Sequence, residues 1–312
     1  MLFDMAKKVK EKFTPLKIKI AAASAQPVEN WRLELDQYIT SKLVDPNNSN
    51  RKRWVFQSSE YELHHTDSVI ELIQRVFPNL LGKRILDFGC GAGLDCINLA
   101  RLGASVTGVD IDETLIRIAT LRARGAGIAV KFKHLDEANW SVNDKFDIVV
   151  MADVIEHVSD PIEILKRPLS RLNDDGYLFV STPNRWAISN VIADPHWKLM
   201  GVSLMPRFFA KWYVTRIRRV IRDYDVQDLI SFTELVTIVN SLGCKTLYST
   251  MDDTVSKMTH IESIRRPGLR LVSHILPRNS YLRHMLAKAY AHLTMYSWWV
   301  LAQKVVKDNL SS

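Results

Sequence analysis

The stretch ILDFGCGAG, residues 85–93, decides the fold of this 312-residue chain. Its apolar half has the character of a buried strand and leads into Gly89, Gly91 and Gly93, after which a helical pattern begins. Glycines at such a turn let the backbone bend tightly and let a ligand approach the main chain closely. The free N–H groups at the start of the following helix favour an anionic group, such as a carboxylate. The stretch therefore predicts the first crossover of a nucleotide-binding α/β sheet.

Beyond this stretch, short apolar runs alternate with segments of helical periodicity. Such alternation predicts parallel strands joined by right-handed crossovers, with helices on both faces of the sheet. We predict an α/β fold, a Rossmann-like, doubly wound, mostly parallel sheet of seven strands with helical insertions. The predicted strands are residues 84–88, 105–110, 129–135, 146–152, 176–182, 244–250 and 298–306, and the predicted helices are residues 94–103, 113–125, 161–172 and 232–243.

The same pattern divides the chain into a leader and one large domain. Residues 1–27 are predicted to form a basic leader and linker, and residues 28–312 the domain. The nucleotide-binding core of that domain is predicted over about residues 80–182. The insertion at residues 183–230 leaves the carboxyl end of strand five, where such sheets bind ligands, so we expect it to act as a lid. A second helical insertion is predicted over residues 251–297.

Acidic residues follow the second and third predicted strands. Asp110 lies 19 residues after Gly91, and a carboxylate at this place can accept hydrogen bonds from both ribose hydroxyls of a nucleotide. Asp112 is predicted instead to cap the helix that begins at Glu113. Asp136 is predicted to accept a hydrogen bond from an adenine amino group, and a surface turn is its alternative role.

The motifs DFGCGAG, GVDI, FDIVVMADVIEHVSDP and GYLFVSTPNR, spread over about residues 80–250, together resemble the class I S-adenosylmethionine-dependent methyltransferases. They are most similar to the branch that contains the ubiquinone-biosynthesis O-methyltransferases. The resemblance implies a methyltransferase with S-adenosyl-L-methionine as its cofactor. The residues that it places at the cofactor are Asp87, Gly89, Gly91, Gly93, Asp110, Ile111, Asp136, Met151 and Ala152. The family usually has Pro-Gly-Gly where this chain has DDGY, residues 174–177, and we expect Gly176 to keep the turn.

The implied reaction needs an aligned acceptor and, for a hydroxyl group, a base. Methyl transfer from a sulfonium ion is an in-line displacement, so the protein mainly aligns acceptor and methyl group. A hydroxyl acceptor must lose its proton, and histidine is the natural base near neutral pH. The candidates are His196 in the first insertion, with Asp194 two residues before it, and His157 just beyond the fourth strand. A structural role is the alternative for each. We therefore predict O-methylation of a small-molecule, lipid-linked or glycan acceptor.

Asp153, Glu156 and His157 also resemble a magnesium-linked D-x-x-E-H pattern. Adjacent side chains on a helix diverge by about 100°, however, and magnesium prefers oxygen ligands. We therefore assign no metal site from the sequence.

Other functions compete with this one. The basic clusters would suit an RNA methyltransferase, but MADVIEH lacks the Asn or Asp with Pro-Pro and an aromatic residue that is typical of base N-methylation. Nucleic acid is therefore the less favoured partner. A non-catalytic cofactor-binding protein is a further alternative, against which the intact glycines and Asp110 argue. A nicotinamide-dependent oxidoreductase is remote, because Leu94 stands where the third glycine of the dinucleotide fingerprint should fall.

The net charge of +8 is unevenly spread along the chain. Six lysines lie in residues 1–20, and six basic residues with no acid lie in residues 207–222. Because aromatic residues are interleaved with the second cluster, residues 1–20 and 205–222 are predicted to contact a membrane surface peripherally. Solvated or core-packing helices are the alternative.

Cysteine usage and hydropathy indicate the cellular compartment in which the protein works. The three cysteines form no CxxC pair, and the N-terminus has no signal-peptide pattern. Uncharged apolar runs stay below the ~18 residues that a membrane span needs. We therefore expect a cytoplasmic protein that touches a membrane only at its surface.

Overall fold

A central sheet organises the molecule, and the computed structural model describes residues 31–43, 69–135, 144–220, 224, 226–227, 229–259 and 281–305. The strands are β1 Arg84–Phe88, β2 Ser105–Asp110, β3 Lys131–His134, β4 Phe146–Ala152, β5 Leu172–Pro183, β6 Cys244–Ser249 and β7 Ser297–Lys304. They form a seven-stranded sheet in the order β3-β2-β1-β4-β5-β7-β6. β7 runs antiparallel to β5 and β6, and the other neighbours are parallel. The predicted Rossmann-like, mostly parallel, seven-stranded fold is confirmed.

Helices connect the strands and also occupy both stretches that interrupt the alternation. The α-helices are α1 Trp31–Leu43, α2 at residues 69–74, α3 Leu94–Arg101, α4 Glu113–Ala126, α5 Pro161–Leu169, α6 Ile188–Ile192, α7 Arg207–Trp212, α8 Phe232–Ser241, α9 Thr250–Thr259 and α10 Tyr281–Thr294. Short 3-10 helices span Ile155–His157 and Val202–Leu204, and a π-helical turn spans Tyr213–Ile217. Within the described ranges, no helix combines the length and the apolar character that crossing a bilayer demands.

The central strands are apolar on both faces because core packs against both sides of the sheet. Leu86 and Val149 belong to one core cluster, whereas Ile85, Ile148 and Val150 belong to another. Neighbouring residues of one strand point to opposite faces, so both clusters draw on the same strands. This explains why β1 and β4 are continuous apolar runs in the sequence.

The boundary between α5 and β5 differs from the prediction. The helix predicted to reach residue 172 ends at Leu169, and β5 starts at Leu172. Leu172 pairs with Phe146 of β4, and the register then shifts before Ile148 pairs with Tyr177. Pairing with a strand distant in the sequence therefore sets the start of β5, and local periodicity could not predict it.

The turn expected at residues 174–177 is also wrong. These residues lie within β5, in its irregular part. Gly176 has no positive φ, and a Cβ at this position would lie 2.6 Å from Cδ1 of Leu172. The glycine is required here for close packing inside an irregular strand instead of for a turn.

The first described helix supports the glycine loop from outside. The ring of Trp31 in α1 lies against Gly125 of α4, where a Cβ would overlap the indole. Leu35 and Ile39 of α1 share a buried cluster with Ala92 of the loop. A segment far upstream in the sequence thus contributes to the position of the loop.

Candidate active site

The three glycines of the loop are required for different reasons. Gly89, Gly91 and Gly93 have φ of 83°, 51° and 79°, a region that other residues rarely adopt. A Cβ at Gly89 would overlap Cγ2 of Val154, and one at Gly93 would lie 2.6 Å from Cβ of Ala119. A Cβ at Gly91 would meet nothing within 4 Å. Gly89 and Gly93 therefore allow the loop to pack, whereas Gly91 presents bare main chain to open space, as a closely bound cofactor requires.

Asp110 ties β2 to this loop. Its Oδ2 accepts a hydrogen bond from the N–H of Gly91 at 2.8 Å, and its Oδ1 accepts one from the N–H of Asp112 at 2.8 Å. Burial raises the pKa of the Asp110 carboxyl. Each carboxylate oxygen has two lone pairs, so both can still accept from a ribose hydroxyl. The ribose contact stays a prediction, and the structure adds a second role, holding Gly91 in place.

The residues around the end of β2 are arranged for different tasks. Asp112 caps α4 as predicted, because its side chain accepts hydrogen bonds from the N–H groups of Thr114 and Leu115. Ile111 is 76 % exposed, and its cofactor contact stays a prediction. The predicted adenine contact of Asp136 lies outside the described residues.

Asp87, Met151 and Ala152 lie deeper than a direct cofactor contact suggests. Asp87 is buried and accepts a hydrogen bond from Sγ of Cys96 in α3 at 3.0 Å, so it joins β1 to the helix after the loop. Met151 is fully buried in the core, main chain and side chain alike. Ala152, at the end of β4, is half-buried. Their cofactor contacts stay predictions.

The end of β4 carries a backbone feature that the sequence did not reveal. Asp153 has φ of 51°, in the left-handed region although it is not glycine. Its N–H donates to the carbonyl oxygen of Ser181 at 3.2 Å, and its Oδ1 accepts from Oγ of Ser181 at 3.0 Å. Such backbone strain persists where the surroundings enforce it, and it clusters at functional sites.

Glu156, His157 and His196 meet beyond the ends of β4 and β5. Nε2 of His196 lies 4.0 Å from Oε1 of Glu156, and the rings of His157 and His196 are 5.1 Å apart at 86°. Glu156 is fully buried, and its Oε2 accepts a hydrogen bond from Oγ1 of Thr182 at 3.4 Å. The structure therefore brings the two predicted bases together and adds a carboxylate that we considered only as a metal ligand.

Asp194 holds the turn that carries His196. Its Oδ1 accepts hydrogen bonds from the N–H groups of Trp197 at 2.8 Å and Leu199 at 3.1 Å. Burial raises the pKa of Asp194 and lowers the pKa of His196 to about 3. The His196 ring is therefore neutral at physiological pH, which leaves a lone pair available but makes the ring a weak base.

Two asparagines that the sequence analysis did not single out anchor the insertion. Nδ2 of Asn184 donates to the carbonyl oxygens of His292 and Met295 at 2.7 and 2.8 Å. Nδ2 of Asn190 donates to the carbonyl oxygen of Tyr296 at 2.8 Å. Both side chains are buried, so these bonds fix the first part of the insertion to the end of α10 and the two residues before β7. An Asn gives no sequence signal of such a distant partner.

The histidine cluster could also hold a metal ion. Ligand atoms of Glu156, His157 and His196 all lie within 4.8 Å of one another. This set differs from the one considered from the sequence, because His196 takes the place of Asp153. Two imidazoles with one carboxylate suit zinc or another transition metal better than magnesium.

An open glycine loop, an acid on the neighbouring strand and a polar cluster beyond the next strands define a nucleotide-binding α/β enzyme. Residues 61–247, more than half of the chain, match the methyltransferase domain family, and the chain belongs to that family. The predicted class, a class I S-adenosylmethionine-dependent methyltransferase, is confirmed. The predicted cofactor, S-adenosyl-L-methionine, is confirmed with it, and the bare main chain at Gly91 fits a closely held ligand.

Curated relatives belong to the branch that the motifs indicated. A ubiquinone biosynthesis O-methyltransferase from Ralstonia nicotianae is 32 % identical over 145 residues, which cover 45 % of this chain and 60 % of the relative. A protein of the same name from Bartonella quintana is 31 % identical over 172 residues, or 54 % of this chain and 64 % of the relative. The chain thus spans between 60 % and 64 % of the length of these relatives.

Proposed function

We propose that this protein transfers the methyl group of S-adenosylmethionine to a hydroxyl oxygen of a small-molecule, lipid-linked or glycan acceptor. The observation that carries the proposal is the cluster of Glu156, His157 and His196 beyond the carboxyl ends of β4 and β5. Ligands of such sheets bind beyond these ends. Relatives named as O-methyltransferases support oxygen as the atom that receives the methyl group.

Residues on one side of the site would bind the cofactor, and residues on the other side would bind the acceptor. The cofactor supplies an electrophilic methyl group on a sulfonium sulfur. Gly91 and Asp110 would bind its adenosyl part, and the insertion would hold the acceptor against the histidine cluster. A neutral alcohol is a poor nucleophile, so a hydrogen bond from its O–H to an imidazole nitrogen would draw the proton away as the new bond forms.

We propose that His196 is the base that takes the proton of the acceptor hydroxyl, with His157 as the neighbouring alternative. Because burial lowers the pKa of His196 to about 3, its ring needs a partner that stabilises the charged form. Two carboxylates are placed to be that partner, since Oε1 of Glu156 lies 4.0 Å from Nε2 and Oδ2 of Asp194 lies 3.8 Å from Nδ1. A carboxylate that orients a histidine and stabilises its imidazolium is a recurring arrangement in catalysis.

The test is methyl transfer by the purified full chain from methyl-labelled S-adenosylmethionine. The acceptors offered are a phenol with an isoprenoid chain, a polyprenyl-linked saccharide, a free saccharide and RNA. Label on an oxygen of one of the first three, located by mass spectrometry, is the expected result. Label on RNA bases, or none on any hydroxyl acceptor while S-adenosylhomocysteine still binds, would contradict the proposal and favour the RNA or non-catalytic alternative.

The spacing of the ligand atoms favours a second role for the cluster, as a metal site. A divalent cation there would polarise the acceptor oxygen. Turnover after chelation, and after adding back Zn²⁺ or Mg²⁺, separates the two roles. Activity that is lost on chelation and restored by one ion supports the metal role, whereas unchanged activity supports proton transfer to histidine.

A further inference from the structure

An aromatic and basic surface lies on the outer side of the first insertion. It is formed by α7, the π-helical turn after it and the next two residues, Arg218 and Arg219, and we call it the aromatic–basic face. Its apolar members Phe208, Phe209 and Trp212 are 77 %, 57 % and 51 % exposed. Residues spaced by three or four positions share one side of a helix, so these rings project together. The exposed basic residues of the face are Arg207, Lys211, Arg216, Arg218 and Arg219.

The opposite side of the same segment fixes this orientation. Ala210 and Val214 are buried, and they pack in a cluster with Leu199, Val202 and Tyr224. The segment is therefore amphipathic, with one side in a small core of its own. The core-packing alternative considered from the sequence applies to that inner side and leaves the exposed rings unexplained.

The charge of the face has one sign. Residues 195–222 contain no Asp or Glu. None of the five basic side chains of the face forms a salt bridge with an acid in the part of the chain that the structure describes. Within the described ranges, the face therefore combines exposed aromatic rings with cations that no acidic side chain pairs with.

We propose that the aromatic–basic face docks on an anionic phospholipid bilayer. Amphipathic helices with aromatic residues on one side and Lys or Arg around them bind at the boundary between headgroups and acyl chains. Large aromatic rings favour that boundary, and each basic residue near an anionic leaflet adds attraction. A duplex nucleic acid would contact the same cations without using the three exposed rings. Single-stranded RNA can stack its bases on such rings, so RNA binding is a contrary outcome of the test below.

Docking through this face would bring the lid to the membrane. The same insertion carries His196, and Asn184 and Asn190 anchor its first part to the end of α10 and the residues just before β7. A protein held in this way would have its acceptor side close to the bilayer. The docking itself does not depend on methyl transfer, so its test does not use turnover.

The experiment is flotation of the full chain with phosphatidylcholine vesicles, with and without phosphatidylserine, at low and at physiological salt. We expect co-flotation only with phosphatidylserine, and weaker binding at higher salt. The apolar variant carries Phe208→Gln, Phe209→Gln and Trp212→Gln, and we expect it to lower affinity at least about tenfold. The charge variant carries Arg216→Gln, Arg218→Gln and Arg219→Gln. We expect each replacement to lower the affinity for these vesicles about fivefold.

Matched controls remove equally exposed groups elsewhere. Tyr281→Gln with Leu282→Gln and Met285→Gln, on α10, removes apolar groups that are 81 %, 51 % and 50 % exposed. Lys245→Gln with Lys288→Gln removes exposed charges. Both control variants should float like the wild type, and every variant should bind S-adenosylhomocysteine normally, which shows that it is folded.

Three results would overturn the proposal. The first is absence of flotation at low salt. The second is equal flotation of wild type and both face variants, which would assign binding to another segment such as residues 1–20. The third is loss of RNA binding or of self-association in the face variants while vesicle binding is unchanged, which would assign the face to that partner.

Discussion

The cofactor side and the proposed acceptor side of this enzyme are built in different ways. On the cofactor side, Gly89, Gly91 and Asp110 lie within one crossover, where the main-chain N–H of Gly91 donates to the Asp110 carboxylate and that of Gly89 to the carbonyl oxygen of Val109. On the acceptor side, Glu156 and His196 come from separate elements, and asparagines bonded to the far end of the chain anchor the insertion. Backbone geometry therefore defines the first side, whereas distant side-chain packing defines the second. We therefore expect substitutions on the proposed acceptor side to leave cofactor binding unchanged.

Replacing the histidines should give the largest effect and confine it to the acceptor side. We expect His196→Asn to lower kcat about 10²–10⁴-fold, the usual contribution of a general base. His157→Asn should have a smaller effect if His196 takes the proton. S-adenosylhomocysteine affinity, measured by calorimetry, should stay the same. The control is His292→Asn, a histidine outside the cluster whose ring lies 5.1 Å from Trp298. Normal kcat in both cluster variants would show that neither histidine is the base.

Gly89→Ala should disrupt the cofactor side by destabilising the fold. The new Cβ would overlap Val154, and a φ of 83° is strained for alanine. We expect the free energy of unfolding to fall by about 2–5 kcal/mol, from overpacking together with backbone strain. Urea unfolding measures this loss. A variant as stable as the wild type would show that the loop tolerates a side chain here.

His196 should make stability depend on pH. Its pKa is about 3 in the folded protein and 6.5 as the reference value, so only the unfolded chain takes up this proton between those values. Stability therefore falls as pH falls through this window. Between pH 7 and pH 5 the loss amounts to about 2 kcal/mol. Urea unfolding with a chelator present should show this loss in the wild type and a smaller one in His196→Asn. If the stability of the two proteins changed equally with pH, another titrating group would be responsible.

Gly91→Ala should give the smallest change and complete the comparison with Gly89. The new Cβ would meet no protein atom within 4 Å but would enter the space where the main chain faces the cofactor. We expect roughly a tenfold loss of S-adenosylhomocysteine affinity and about 1 kcal/mol of stability, from the left-handed backbone. Calorimetry and urea unfolding measure the two. Unchanged affinity would place the cofactor away from Gly91.

The sequence predicted the geometry of the glycine loop better than that of the histidine cluster. The glycines, Asp110 and the cap at Asp112 follow each other in one short unit, so their spacing alone carried the signal. Glu156 was considered only as a metal ligand, and Asn184, Asn190 and Ser181 were not noticed at all. Each of these works through a partner distant in the chain, and single-sequence patterns do not show such partners.

Local sequence determined the alternation of strands and helices, the glycine crossover and the acid at the end of β2, because each depends on contacts between near neighbours in the chain. Only the tertiary structure decided where β5 begins, which residues join His196, and which side of α7 faces outward. These features depend on packing between segments that the sequence keeps far apart, and no local propensity specifies that packing.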